Sequence, residues 1–137
     1  MKCIGLNGSE YNLDLKKYLA NERDKRSYYH ILARQLAHEM FKGYTVLEEV
    51  KLPGSSQKLS VLYLDFLIPS CKIALEVHGE QHFKYTPFFH KSKAGFLRAK
   101  KRDLDKEEWC NINNITLVAL RYDDSEEYWR EQIERCR

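Results

Sequence analysis

A chain of 137 residues, 43% hydrophobic and 12% aromatic, is long enough to bury one real core and too short to bury two, so it reads as a single domain. The net charge of +3 permits a nucleic-acid partner without arguing for one. Cys3, Cys71, Cys110 and Cys136 are scattered, with no CxxC or CxxH pair, which excludes the common zinc modules and leaves four reduced thiols.

The N-terminal stretch MKCIGLNGSEYNLDL has neither a signal-peptide core nor a transit pattern, and no apolar run approaches the roughly 18 residues of a membrane helix. A soluble, cytoplasmic protein is expected. Residues 1–24 form a polar N-terminal extension with a short apolar pattern at Leu13, Leu15, Tyr18 and Leu19, suited to a short helix or strand on the main body. From Ser27 to Phe41, Tyr29, Leu32, Leu36 and Met40 recur at helical spacing, with Ser27 to cap the start and Gly43 to end the helix. TVLEEVKL (45–52) reads as a strand, PGSSQK as a connection, LSVLYLDFLI (59–68) as a second strand and IALEVH (73–78) as a third. A basic, aromatic loop precedes a charged helix from about Lys93 to Trp109. NITLVALRY (114–122) is a fourth strand, and residues 124–137 close the chain as a helix capped by Asp124 or Ser125. The order predicts an α/β (α+β) fold with a central mixed four-stranded sheet flanked by helices.

Two acids stand inside the most apolar stretch, LYLDFLIPSCKIALEVHGEQHF. If Pro69 to Lys72 form a four-residue loop, Ile68 pairs with Ile73 and the register sets Asp65 opposite Glu76. Like charges at that cross-strand distance destabilise a sheet, and a divalent cation with oxygen ligands offsets the repulsion. Strand alternation puts Ala74, Glu76 and His78 on one face, and the Val77 carbonyl between the last two is placed to add a metal ligand. A solvated face, or pairing with Lys and Arg of the later helix, is the plain alternative. Glu39, seven residues after Leu32 and three after Leu36, falls at the edge of the apolar stripe and is expected to point toward the sheet. His30, His38 and His90 read as surface residues.

An Asp in a strand, a short turn and Glu-x-His in the next strand resemble the PD-(D/E)XK nuclease superfamily. DFLIPSCKIALEVHGEQHF, KKRDLDKEEWC and NNITLVALRY together are similar to small phage and homing-type endonucleases related to the very-short-patch repair (Vsr) enzyme, a group described by an EDxHD signature. The likeness covers about residues 27–122, the implied catalytic core. It implies a restriction-endonuclease-like αβββαβ core, with the group's helix Glu on Glu39, its strand Asp on Asp65, its next-strand Glu on Glu76, its GxxH His on His82 after Gly79, and its Arg-Asp pair on Arg102 and Asp103. The aromatic run with which Vsr wedges into mismatched DNA has no counterpart after Gly79, so mismatch specificity is not implied.

The expected activity is Mg²⁺-dependent hydrolysis of phosphodiester bonds in double-stranded DNA, nicking or cutting both strands, with Mn²⁺ able to substitute. Asp65 and Glu76 would hold the ion, Glu39 and Asp103 would act through water, and His78 or His82 would transfer the proton. Gln81 is placed to position a water or phosphate, or to bond a strand end. Lys106 shares a helix face with Asp103, as a catalytic group or an ion-pair partner. Lys84, Lys91, Lys93, Arg98, Lys100, Lys101 and Arg102, interleaved with Tyr85, Phe88, Phe89 and Phe96, form the expected DNA surface, against the alternative of a solvated helix face. A DNA-binding module that has lost activity, and a nuclease working as a homodimer or with a separate recognition subunit, are the other readings.

Overall fold

The computed structural model describes residues 1–19, 27–54, 61–80 and 85–137. The chain begins with a two-stranded antiparallel hairpin, β1 (Lys2–Ile4) and β2 (Glu10–Asn12), where the sequence allowed a short strand or helix. A 3-10 turn over Leu15–Tyr18 follows, capped by the Asp14 carboxylate. Helix α1 (Tyr28–Met40) starts as expected, with the Ser27 hydroxyl accepting from the His30 N–H at 3.3 Å. Strands β3 (Leu47–Leu52), β4 (Leu62–Ile68) and β5 (Ile73–His78) form the expected meander. After them come a short helix α2 (Pro87–His90), the long helix α3 (Lys93–Ile112), strand β6 (Thr116–Arg121) and helix α4 (Glu126–Cys136). Ser125, not Asp124, caps α4, accepting from the Tyr128 N–H at 3.1 Å.

The main sheet has the order β3-β4-β5-β6, antiparallel except for the parallel β5-β6 pair. Parallel neighbours need a crossover, and α3 supplies it. The expected mixed, four-stranded, helix-flanked sheet is therefore the observed architecture. One sheet face is covered by α1 and α4, through Ala33, Leu36, Ala37, Trp129 and Ile133 against Phe66, Ile68, Ile73 and Leu75. The other is covered by α3 and the N-terminal hairpin, through Trp109, Cys110, Cys3 and Leu13 against Leu47, Val50, Leu64, Leu67 and Ala74.

Two features of this sheet position its acidic residues. The Pro69–Cys71 turn closes with Lys72 in the left-handed region, so Ile68 meets Ile73 and the expected four-residue loop is present. The side-chain alternation also breaks at one level. Leu64 and Phe66, two residues apart on β4, lie on opposite faces, while Leu47 and Val50, three apart on β3, share a face. Strict period-2 pleating forbids both. Glu49, between the two halves of β3, has φ of 54°, and no ladder pair joins it to Asp65 across the strand. Both strands thus turn over at the Glu49/Asp65 level.

The hairpin is tied to the far end of α3 by Asn113. Its carbonyl accepts from the Ile4 N–H at 2.6 Å, and its amide donates to the carbonyls of Ile4 and Trp109, both at 2.8 Å. Asn113→Ala strands these buried backbone groups and is expected to cost about 2 kcal/mol in denaturant unfolding, with the hairpin amides losing hydrogen-exchange protection first. Unchanged protection at Ile4 would show that the tie is not structural.

Candidate metal and phosphodiester site

Backbone pairing between β4 and β5 runs from Ile68 against Ile73 to Phe66 against Leu75 and stops. One step further, where the register sets Asp65 opposite Glu76, side chains replace the ladder. The Asp65 Oδ2 accepts from the Val77 N–H at 2.7 Å, and the Glu76 Oε1 accepts from the Asp65 N–H at 3.3 Å. Each carboxylate thus closes a gap in the opposite strand's hydrogen bonding, which brings the two acids into contact at the fork.

Glu76 is 1% exposed. Burial drives its carboxyl well above the usual carboxylate range, the charge of Asp65 pushes it further, and Lys106 opposes both. Lys106 Nζ reaches Glu76 Oε2 at 3.4 Å, so it turns from α3 toward the sheet. Burial, with a smaller contribution from Glu76, raises the nearby Cys110 thiol to about 12, which leaves it protonated and unsuited to nucleophilic chemistry.

On the other side of the fork stands α1. Its buried residues are His30, Ala33, Arg34, Leu36 and Ala37, so the buried face is centred on 30, 33, 34 and 37, with Leu36 at its edge and Leu32 and Met40 packed beside it. His30 is 7% exposed, which corrects its reading as a surface residue. Its ring packs on Phe66 with centroids 4.8 Å apart, and its Nε2 lies 2.6 Å from Glu48 Oε1. Arg34 grips the same carboxylate at 2.6 and 3.1 Å. Burial alone would raise the Glu48 carboxyl, but the bonds from Arg34 and His30 together hold it below its usual range. Arg34→Leu leaves a buried carboxylate short of its main cation, and about 3 kcal/mol of destabilisation is expected in chemical unfolding. A loss under about 1 kcal/mol would mean that His30 alone suffices to pair Glu48.

A ring nitrogen of His30 and carboxylate oxygens of Glu49 and Asp65 lie within 4.8 Å of one another. Among the described residues, a row of ionisable groups therefore runs through the fork: Lys106, Glu76, Asp65, Glu49 and His30, then Glu48 and Arg34. In that row four carboxyls meet two permanent cations, one at each end. Clefts open on both sides of the fork. One, of about 530 Å³, is lined by Tyr29, His30, Asp65, Glu76, Lys106 and Tyr122. The other, of about 610 Å³, lies on the α3 side and is lined by Glu76, His78, Asp103, Lys106 and Glu107 among others.

The fork thus gathers Asp65, Glu76, Val77 and Lys106, with His78 and Asp103 on the α3-side cleft. Glu39 is elsewhere. It lies nine residues beyond His30, roughly 13 Å along the helix axis, is exposed, and bonds Arg130 of α4 at 2.9 and 3.2 Å. The Arg130 guanidinium holds its carboxyl below the usual range. The expectation that Glu39 joins the sheet acids is therefore corrected: the buried stripe of α1 is rotated from the one its large residues suggested. Gln81, His82 and Lys84 lie outside the described residues, as do the side chains of Phe88 and Phe89.

Of the basic residues, Lys91, Lys93, Arg98, Lys101 and Arg102 are exposed on and before α3, and Lys100 is half-buried over the Phe96 ring at 5.7 Å. Lys101 also bonds Asp105 at 2.8 Å, one turn along the helix. Tyr85, His90 and Phe96 pack together beside them, so His90 is half-buried rather than a surface residue; His38 is exposed. Sequence reasoning missed His30, Glu48 and Glu49. The available signal was His30 and Arg34 at helical i, i+4 spacing around the small Ala33, with an acid pair in the adjoining strand.

Among the described residues no helix is long and apolar enough to cross a membrane, and all four cysteines are free. The chain is similar to Uncharacterized protein 307L of invertebrate iridescent virus 6, at 41% identity over 61 residues, 44% of this chain and 31% of the viral protein. It is also similar to Uncharacterized protein 094L of frog virus 3, at 36% identity over 75 residues, 53% of this chain and 48% of that protein. Uncharacterized protein 033L of invertebrate iridescent virus 3 shares 30% identity over 61 residues, again 44% of this chain and 31% of the relative. The chain spans less than half the length of each of these relatives. No family model and no solved structure matches it.

Proposed function

We propose that the chain is a metal-dependent DNA endonuclease with a restriction-endonuclease-like core. The observation that carries this reading is the contact of Asp65 with Glu76 at the fork of β4 and β5. An almost fully buried carboxyl beside a second acid is costly, and Lys106 at 3.4 Å offsets only part of that cost. Sheets do not keep such pairs for stability, whereas hard divalent cations are bound by one or two carboxylates together with water and substrate phosphate.

Asp65, Glu76 and the Val77 carbonyl are the groups that would hold Mg²⁺, with Mn²⁺ as substitute. When bound, the ion supplies charge to the phosphoryl oxygens and lowers the pKa of a water. Lys106, beside Glu76, adds a fixed positive charge where a phosphate would lie. His78 lines the α3-side cleft with Asp103 and is the group that would transfer the proton there. The exposed cations of α3 would follow the backbone of double-stranded DNA and fix its register, without reading sequence.

Incubation with supercoiled plasmid tests the proposal. Cleavage in Mg²⁺ or Mn²⁺ that stops on addition of EDTA is the expected result, and nicked against linear product shows whether one or both strands are cut. Plasmid binding without cleavage in either metal would overturn it in favour of a binding module.

A further inference from the structure

We infer that His30, Glu49 and Asp65 form a mixed nitrogen and oxygen site for a borderline divalent ion, on the α1 side of the fork and sharing Asp65 with the Glu76 side. The inference deepens the nuclease proposal by giving the same fork a metal preference, and it stands or fails by measurements made without DNA.

Three observations converge on this site. The donor atoms of the three side chains already lie within 4.8 Å of one another and come from three separate elements, α1, β3 and β4. His30 is more than nine-tenths buried, its ring pinned against Phe66, and one nitrogen is engaged by Glu48. In this site Nδ1 is the ligating atom and Nε2 stays on Glu48, the arrangement in which a carboxylate on the other nitrogen fixes the tautomer and makes the ligating nitrogen more basic. Glu48 is itself fixed by Arg34, so the orientation of the ring has a support two residues deep. Finally, Glu49 stands at a left-handed φ of 54°, at the level where both strands change face. A pleated β3 would alternate Glu49 away from Glu48. The turnover instead brings Glu48 to hold the ring and Glu49 to complete the donor set, from neighbouring positions.

The donor set also indicates the ion. Mg²⁺ prefers oxygen and keeps most of its water, whereas imidazole suits Mn²⁺ less strongly than Zn²⁺ or Ni²⁺ but better than it suits Mg²⁺. Binding at His30 should therefore favour Mn²⁺ over Mg²⁺, and Zn²⁺ over Mn²⁺.

The test is calorimetric titration of the full chain with Mn²⁺ and Mg²⁺, together with pulsed electron paramagnetic resonance of the Mn²⁺-loaded protein. Wild type is expected to bind Mn²⁺ at least about tenfold more tightly than Mg²⁺ and to show nitrogen coupling from one imidazole. His30→Gln should abolish the coupling and the preference together. Glu49→Gln, a half-buried change that leaves the Glu48 support intact, should weaken Mn²⁺ binding by about 10- to 100-fold and keep the coupling in the residual complex. His78→Gln should leave the coupling unchanged. Melting curves in EDTA separate failure to fold from failure to bind, and if His30→Gln does not fold, Glu49→Gln decides the question. Nitrogen coupling that is absent from wild type, or that survives in folded His30→Gln, overturns the inference, as does unaltered Mn²⁺ affinity in Glu49→Gln. Plasmid cleavage without nitrogen coupling would sink this site and leave the nuclease proposal standing. Coupling without cleavage would do the reverse.

Discussion

Asp65→Asn is expected to reduce metal-dependent plasmid cleavage by about 10³-fold or more, while leaving the fold intact. The asparagine carbonyl still accepts from the Val77 N–H, so the fork between β4 and β5 stays closed at that point. What is lost is the negative charge that would hold the cation, and an interaction supplying about 4 kcal/mol to the transition state corresponds to about three powers of ten in rate. Glu39→Gln is the matched control. Its carboxylate is bound by Arg130 on the outer surface of α1 and α4, so its replacement should change the rate by less than about twofold. Plasmid nicking assays on the two variants, with circular dichroism to check folding, measure both. Equal loss in the two would return Glu39 to the site and contradict the placement of α1.

The second large effect is on stability and runs in the opposite direction from activity. Glu76 keeps its proton to higher pH in the folded chain than in the unfolded one, because burial and the neighbouring Asp65 disfavour its charge more than Lys106 favours it. The folded state therefore binds more protons over the interval between the two values. The group's contribution to stability is complete below the unfolded carboxyl range and is lost as pH rises through the folded value. Glu76→Gln is neutral at every pH and escapes that loss. In EDTA at pH 8 the variant should melt roughly 3 to 5 °C above wild type, equivalent to about 1 kcal/mol, and the difference should vanish near pH 4. Added Mg²⁺ should raise the wild-type midpoint and leave the variant's nearly unchanged, since a ligand stabilises only the state that binds it. A variant less stable than wild type in EDTA at pH 8 would mean that the Glu76 to Lys106 pair is a net structural gain and that the fork needs no cation.

The sequence carried the site's register but not its depth. Pro69 and the four-residue loop, with period-2 alternation on either side, were enough to set Asp65 against Glu76, because a short hairpin loop leaves one pairing open. The two-faced sheet and the charged crossover helix were legible for the same reason: each has a local period or a local cap. The face reversal at Glu49 was not legible, since nothing in LEEVKL marks a left-handed residue. The rotation of α1 was hidden because Tyr29, Leu32 and Met40 have the spacing of a packing stripe. Small residues, Ala33 and Ala37, actually let the helix approach the sheet and carry His30 and Arg34 inward with them. Bulk marked only one edge of the buried face, where Leu36 is buried and Leu32 and Met40 pack against the core, so Glu39 was drawn toward the site and His30 left out of it.

Diffraction from crystals soaked in Mn²⁺, at a wavelength where manganese scatters anomalously, tests the central claim most directly. The predicted result is an anomalous peak at the fork within about 2.2 Å of an Asp65 oxygen, and the peak should vanish in Asp65→Asn. Crystals that bind no manganese at the fork, with the Asp65 and Glu76 carboxyls neutralised by lysine or by a shared proton alone, would contradict it.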